Sequence, residues 1–341
     1  MADRGVVVTA PGEAALEEIR VEEPGPGEVV VRIEATGVCH SDLAVLRDNW
    51  WHRPPILLGH EGAGIVEAVG EGVTGRSVGD HVALSWRQSC GECEWCARGR
   101  PRMCNRVPRA RKVFRADGTR LTQTLVTGTF ATRTVVPAVS AIPLPRELPA
   151  EQAALIGCCV ATGVMTVLET ARVWEGARVA VIGCGAVGLC VIQGARLAGA
   201  AEIHAVDLDE RKLELASRFG ATHTGEPEEP VDFAFDVVGV GATLSQAVRS
   251  TGYGGTAVLV GIGSGALDVT TPELFQRRAR ILVSHGGDHL PSEDFPRLAA
   301  LALEGKLDLA GLVTRTGPLD EWREAFEAME EGDVIRTVLA P

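Results

Sequence analysis

Aromatic side chains are scarce in this chain, with one Tyr, six Trp and eight Phe among 341 residues. That removes most of the platforms on which single-stranded nucleic acid stacks. Positive charge is also short, 33 Lys and Arg against 45 Asp and Glu, for a formal net charge of −12. An acidic surface repels phosphate backbones, so no nucleic-acid partner is expected. No stretch of about 18 residues is free of charged and turn-forming residues, which argues against a membrane span. Near the N-terminus, Asp3 and Arg4 precede only a short apolar run, too brief for a signal peptide. The expectation is a cytoplasmic protein with no membrane partner.

The length is comfortable for two domains, and the 45% hydrophobic content can fill sizeable cores. Nine cysteines in a cytosolic chain read as metal ligands or core thiols before disulfides. Four of them fall within fifteen positions, which is the first sign of chemistry.

The first ~150 residues read as a mostly β, Gly-rich domain. Val6-Val7-Val8 and Val29 to Ile33 are strand-like, separated by the turn run Glu23-Pro-Gly-Pro-Gly-Glu28. Pro137 to Pro149 makes a plausible connector, and Ala150 to Thr170 is Ala- and Leu-rich with helical period. A β-branched run to Ile182, a glycine turn, a helix-like stretch Val187 to Ala198 and a second run Glu202 to Val206 compose a βαβ unit. Runs ending at Val238, Val260 and Val283 extend this into a parallel sheet of α/β class. Glu321 to Glu331 forms an amphipathic helix and Ile335 to Leu339 a last strand.

Cys90, Cys93, Cys96 and Cys104 give four thiolates at short spacing. Two-residue gaps let the backbone curl so that each Sγ lies about 2.3 Å from one zinc, and a closed four-sulfur shell suits a structural site. An iron–sulfur cluster uses the same ligands, and reduced loop cysteines are the bland alternative. Gly183-Cys-Gly185-Ala186-Val187-Gly188 follows the first strand of the βαβ unit and opens its helix. Glycines there allow a tight turn, close approach of backbone to a pyrophosphate and close helix packing. Asp207 ends the second strand, 19 residues past Gly188. A carboxylate there accepts from both ribose hydroxyls and repels a 2′-phosphate, which favours NAD over NADP despite nearby Arg211 and Lys212. Val238 and Val260 end later apolar runs and are candidate contacts for the same cofactor.

Cys39-His40-Ser41-Asp42, Gly59-His60-Glu61 and Gly157-Cys158 are scattered. From the residues alone, Cys39 reads as a core thiol and His60 as a loop histidine, although Cys, His and Cys could leave zinc one open position. Together with the four-cysteine lobe, Gly128-Thr-Phe130, the nucleotide turn and Ile335-Arg-Thr337, these segments resemble the zinc-containing alcohol dehydrogenases of the medium-chain dehydrogenase/reductase family. Trp86 to Cys104 and Asp117-Gly-Thr119 look most like the class III, thiol-dependent formaldehyde dehydrogenase branch, with the nicotinoprotein branch next.

The resemblance implies a GroES-like catalytic domain over 1–159 and 285–341, with its zinc lobe at 90–104, and a doubly wound Rossmann NAD-binding domain over 160–284. It implies that Cys39, His60 and Cys158 bind a catalytic zinc, with Glu61 behind it and Asp42 orienting His60. His40 and Arg336 would neutralise the cofactor pyrophosphate, and Thr162 would pack on the nicotinamide. Trp50, Trp86 and Phe130 match substrate-pocket positions. Two zinc ions and NAD are the implied cofactors, and a small alcohol or aldehyde the implied substrate. Ser41 would pass on the alcohol proton; relatives end that relay with a histidine where this chain has Ala44. The long loop after the zinc lobe resembles dimeric relatives, so a homodimer is expected. A biosynthetic carbonyl reductase and a nicotinoprotein are the alternative activities on this scaffold. A non-catalytic zinc- and nucleotide-binding protein is the alternative class.

Two departures stand out. Only nine residues separate Thr222 from Asp232, where the family places a helix, so the sheet should keep its strand order and lack one crossover helix. Arg106, Arg109, Arg111, Lys112, Arg115 and Arg120 face a single acid, Asp117, which predicts attraction of an anionic substrate.

Overall fold

The computed structural model describes residues 2–48, 53–106, 108–110 and 112–341. The chain divides into two compact units, Met1–Cys158 with Leu290–Pro341, and Cys159–His289.

In the first unit, short β-branched runs between glycine turns pair into two sheets. One has the order Val113–Arg115, Glu13–Val21, Asp3–Ala10, Ile56–Leu57, Thr122–Gln123. The other runs Ala141–Pro143, His81–Leu84, Glu61–Val69, Glu28–Gly37, Arg336–Ala340, Val313–Pro318, with Arg133–Pro137 also paired to Glu28–Gly37. Register decides what meets at the site. Gly37 stands opposite both Glu61 and Val338, so the ends of three strands lie side by side. Val29, Val31, Ile33, Val66, Val82, Leu84 and Val136 form one core under this sheet. Val6, Val8, Ile56, Leu58, Phe130, Trp322 and Phe326 belong to another. Each such fully buried side chain stabilises by about 1.5–3 kcal/mol.

The second unit is a six-stranded parallel sheet in the order His223–Thr224, Glu202–Val206, Arg178–Ile182, Val231–Asp236, Thr251–Leu259, Arg280–Val283. The order reverses direction at Arg178–Ile182, the switch point where open α/β sheets receive ligands. Helices Ala186–Leu197, Glu210–Phe219 and Gly241–Ser250 make the crossovers. Between Thr224 and Val231 there is no helix, and the strand order is kept, as the short interval predicts. Helix Thr271–Arg277 is not marked by apolar periodicity; its start is a capping box between Thr270 and Glu273.

Ala150–Ala171 is one helix of 22 residues. It is long and apolar enough to cross a membrane, contrary to the expectation of no such stretch, but 72% of its apolar window is buried inside the protein. It is interrupted by π-helical turns at Ile156–Val160 and Thr166–Ala171. Such bulges are frequent at functional sites.

Candidate active site and metal centres

Four donors far apart in sequence converge in the first unit. Cys39 leaves the end of strand Glu28–Gly37 just before helix His40–Asp48, and His60 and Glu61 open strand Glu61–Val69. Cys158 projects from the π turn. One ligand atom from each of the four lies within 4.8 Å of every other. Cys39, His60 and Glu61 are buried and Cys158 is half-buried.

Asp42 fixes the imidazole. Its fully buried Oδ1 accepts from the Gly59 amide at 3.1 Å and pairs with His60 Nδ1 at 3.0 Å. That fixes Nδ1 as the carboxylate-facing nitrogen and leaves Nε2 as the donor toward the thiols. His60 Nε2 is buried with no hydrogen-bond partner among the described residues. A buried polar atom left in this state needs an explanation, and a soft cation among two sulfurs and an imidazole supplies one.

The electrostatics agree with a cation-binding pocket. A hydrogen bond from Cys158 holds the Cys39 thiol well below its ordinary range against burial, with help from the Arg336 and His60 charges. Cys158 is pushed well above its range by the same hydrogen bond, by burial and by Glu61. Burial lowers the His60 pKa, but Asp42 and Cys39 outweigh it and raise the ring well above its usual value. Burial raises Asp42.

Arg336 lies beside the same cluster. It is 4% exposed, and its guanidinium pairs with Glu61 Oε1 at 3.0 Å and donates to the Val38 carbonyl at 2.7 Å. Its Nη2 also lies 3.8 Å from Cys39 Sγ. The terminal nitrogens are thus committed to the metal pocket, because strand pairing sets Arg336 beside the Glu61 strand end. His40, by contrast, is exposed at the head of its helix.

The four-cysteine lobe is also assembled. Cys93 and Cys96 sulfurs are 3.5 Å apart, Cys93 and Cys104 3.8 Å, and Cys90 and Cys104 3.6 Å. A tetrahedron with zinc–sulfur bonds of about 2.3 Å has edges of about 3.8 Å, so the spacing fits. Amides of Cys90 and Cys93 donate to the Cys104 and Cys90 sulfurs, each at 3.3 Å. The Cys96 backbone draws the Cys93 thiol down to about 6, while burial and Cys93 push Cys96 up to about 12. Arg102 anchors the lobe through Asp294 of helix Pro291–Leu303, at 2.6 and 3.5 Å.

In the second unit the glycine turn suits a dinucleotide. Gly183 has φ +95°, and a Cβ on Gly188 would strike the Gly183 carbonyl at 1.9 Å. A Cβ on Gly185 would meet no protein atom within 4 Å, so the turn is open where phosphates approach a helix N-terminus at Ala186. Asp207 Oδ2 accepts from the Cys184 amide at 2.7 Å, tying the carboxylate to the turn. Arg211 is paired with Asp209, the cap of its own helix, instead of standing ready for a 2′-phosphate. Val238 is exposed and Val260 buried, its amide donated to the Asp236 carbonyl. Lys212 and Thr162 are half-buried. Leu208 and Ile262 follow two of the parallel strands. Both are large, apolar and exposed, at the carboxyl ends of their strands.

Phe130 lies in the core. It is fully buried, its ring 6.0 Å from Phe326 in the core, because its backbone continues the Leu58 and Val6 pairing inward. It lines no pocket. Trp86 is half-buried, and Trp50 lies outside the described residues. The basic run is partly spent inside the fold: Lys112 pairs with Glu22 and Arg115 with Glu17. Arg106, Arg109 and Arg120 are exposed, and Arg111 lies outside the described residues.

Residues 25–146 match the family model for the alcohol dehydrogenase GroES-like domain, and residues 186–304 that for zinc-binding dehydrogenase. The S-(hydroxymethyl)glutathione dehydrogenase of Photobacterium damsela subsp. piscicida is 37% identical over 368 aligned positions, covering 99% of this chain and 100% of that one. Its counterpart in Haemophilus influenzae is 37% identical, covering 98% and 96%. Among solved structures, benzyl alcohol dehydrogenase from Acinetobacter calcoaceticus superposes with a TM-score of 0.90 at 29% identity, covering 100% of this chain and 99% of that one. An alcohol dehydrogenase zinc-binding domain protein from Burkholderia ambifaria gives 0.93 at 32%, with the same coverage.

Proposed function

Because the chain belongs to the zinc-dependent alcohol dehydrogenases of the medium-chain dehydrogenase/reductase family, we propose that Cys39, His60 and Cys158 hold its reactive zinc and that Cys90, Cys93, Cys96 and Cys104 enclose a structural one. The chain is an oxidoreductase that moves a hydride between an alcohol or hemithioacetal and NAD, with zinc and NAD as cofactors. The observation that carries the ligand assignment is the buried His60 Nε2, left without a partner inside a cluster of two thiols and a carboxylate.

Cys39, His60 and Cys158 would hold zinc through three donors, the number reactive zinc sites use, where closed structural sites use four. A zinc held there would supply the Lewis acidity that brings an alcohol hydroxyl's pKa toward neutrality. The remaining work falls to the chain. Ser41, half-buried in the first helical turn after Cys39, takes the departing proton by hydrogen bond. Ala44 carries no proton, so the last transfer goes to solvent. Asp42 keeps the imidazole in the ligating tautomer. Glu61, joined to Arg336, balances the charge of the donor set from behind. Asp207 receives the ribose hydroxyls of NAD.

Elemental analysis should find two zinc per chain, falling to one in Cys39→Ser and His60→Ala. Wild-type levels in both variants would remove the ligand assignment. NADH formation with formaldehyde plus thiols, primary alcohols and benzyl alcohol then identifies the substrate.

Three finer readings rest on the same frame. Exposed Arg109 and Arg120 draw anionic substrates, so Arg109→Ala should raise KM for acidic alcohols and leave neutral ones unchanged; equal effects would end this reading. A second copy pairs along the open edge of strand Arg280–Val283, where Val283 is 65% and Phe275 84% exposed. Val283→Lys should shift a sedimenting dimer to monomer. All nine cysteines are free thiols, and two thiolate metal sites persist best in a reducing cytoplasm.

A further inference from the structure

His60 and Glu61 sit between two glycines, and one residue fills the space that side chains on both glycines would need. A Cβ on Gly59, where φ is +89°, would meet Thr129 Oγ1 at 2.5 Å and the Phe130 amide nitrogen at 2.3 Å. A Cβ on Gly62 would meet Thr129 Cγ2 at 2.5 Å. The Thr129 amide donates to the Gly59 carbonyl at 3.0 Å, so the backbone is gripped as well.

The hydroxyls close the clamp. Thr36 Oγ1 donates to the Glu61 carbonyl at 2.9 Å and lies 2.7 Å from Thr129 Oγ1. Thr129 Oγ1 is 3.4 Å from the same carbonyl. One consistent pattern has Thr129 donating to Thr36, and Thr36 donating to Glu61. Both threonines are fully buried, where no water competes for these bonds.

Thr129 is itself held. Gln123 Nε2 and Thr134 Oγ1 both donate to the Thr127 carbonyl, at 3.0 and 2.6 Å. Leu125 and Val126, neither a glycine, take positive φ of 45° and 64° on the way to it. A β-branched residue with that backbone is rare and persists only where the surroundings over-determine it.

We propose that Thr129, with Thr36, is a positioning pair for the reactive metal: it fixes the His60-Glu61 peptide and so sets how tightly this site holds zinc. Neither hydroxyl is among the metal donors. The pair acts through the peptide it grips, as outer partners of metal ligands do. This rests on the assignment of Cys39, His60 and Cys158 as ligands.

Thr36→Val/Thr129→Val removes both hydroxyls from the Glu61 carbonyl at nearly constant volume. Thr129→Ser keeps the hydroxyl and removes the methyl on Gly62. Zinc release to a chromogenic chelator should be biphasic in the wild type, the four-cysteine lobe serving as internal reference. In the double variant, loss from the reactive site should be about tenfold faster or more, with the lobe phase unchanged. Its cobalt-substituted form should show shifted visible bands, and Thr129→Ser should behave as wild type. Unchanged release with an unchanged cobalt spectrum would overturn the proposal. So would equal loosening of both phases, which marks general instability. If His60→Ala keeps both phases, the ligand assignment fails first and the proposal with it.

Discussion

Replacing Asp294 by alanine isolates what anchors the four-cysteine lobe. The carboxylate is almost fully buried, its side chain 3% exposed, and it takes Arg102 on both oxygens. It also accepts the Leu290 amide at 2.6 Å. Arg102 is 27% exposed, so a stranded guanidinium recovers some hydration. The loss therefore lies at the low end of the roughly 3–5 kcal/mol for breaking a fully buried pair. A charge-assisted bond of about 2 kcal/mol plus an orphaned amide of about 1 kcal/mol gives about 3 kcal/mol. At about 1.4 kcal/mol per tenfold, local opening of the lobe should become about a hundredfold more frequent. Chelator-driven zinc release under native conditions reads this opening directly, without requiring two-state unfolding of a two-unit chain. The lobe phase should accelerate about a hundredfold, with the reactive-site phase unmoved. A lobe phase within threefold of wild type would show that the ion pair does not hold the lobe.

Other outcomes follow from the same contacts. Asp42→Asn should weaken reactive-site zinc by about 10–100-fold, as loss of a ligand's carboxylate partner does, measured by zinc competition with the lobe as reference. Asp207→Ser should raise KM for NAD about tenfold or more by removing charge-assisted bonds and improve use of NADP; steady-state kinetics with both coenzymes decides it. Cys93→Ser should release the lobe zinc and lower thermal stability while NAD binding by the second unit persists, checked by metal analysis and coenzyme titration.

The parts of the molecule that were legible in the sequence are those written at short range. The cysteine lobe is a local spacing, and its sulfurs meet at 3.5–3.8 Å because two-residue gaps permit the curl. The glycine turn and the missing crossover helix are likewise local, and strand order follows from the remaining connections. Long-range register was not legible. Nothing near Arg336 in sequence announces that strand pairing places its guanidinium on Glu61. Phe130 could be read as pocket or core until its backbone partners, Leu58 and Val6, were known. The positive run at 106–120 suggested a field, but Glu17 and Glu22 arrive from another strand to discharge part of it. The brace at Thr129 was not legible for the same reason: the Gly128-Thr-Phe130 segment shows nothing of the two glycines, some seventy residues earlier, whose space Thr129 fills.

The π turn at Ile156–Val160 makes the reactive centre sensitive to chain length as well as to side-chain identity. One surplus residue in a helix is a phase offset of about 100°. Removing Gly157 would leave every donor atom in the chain and still swing Cys158 about a quarter-turn off its bearing. Deleting Val160 would spare that thiol and rotate everything after it instead. A centre built this way can be lost to a single-codon deletion that removes none of its donors.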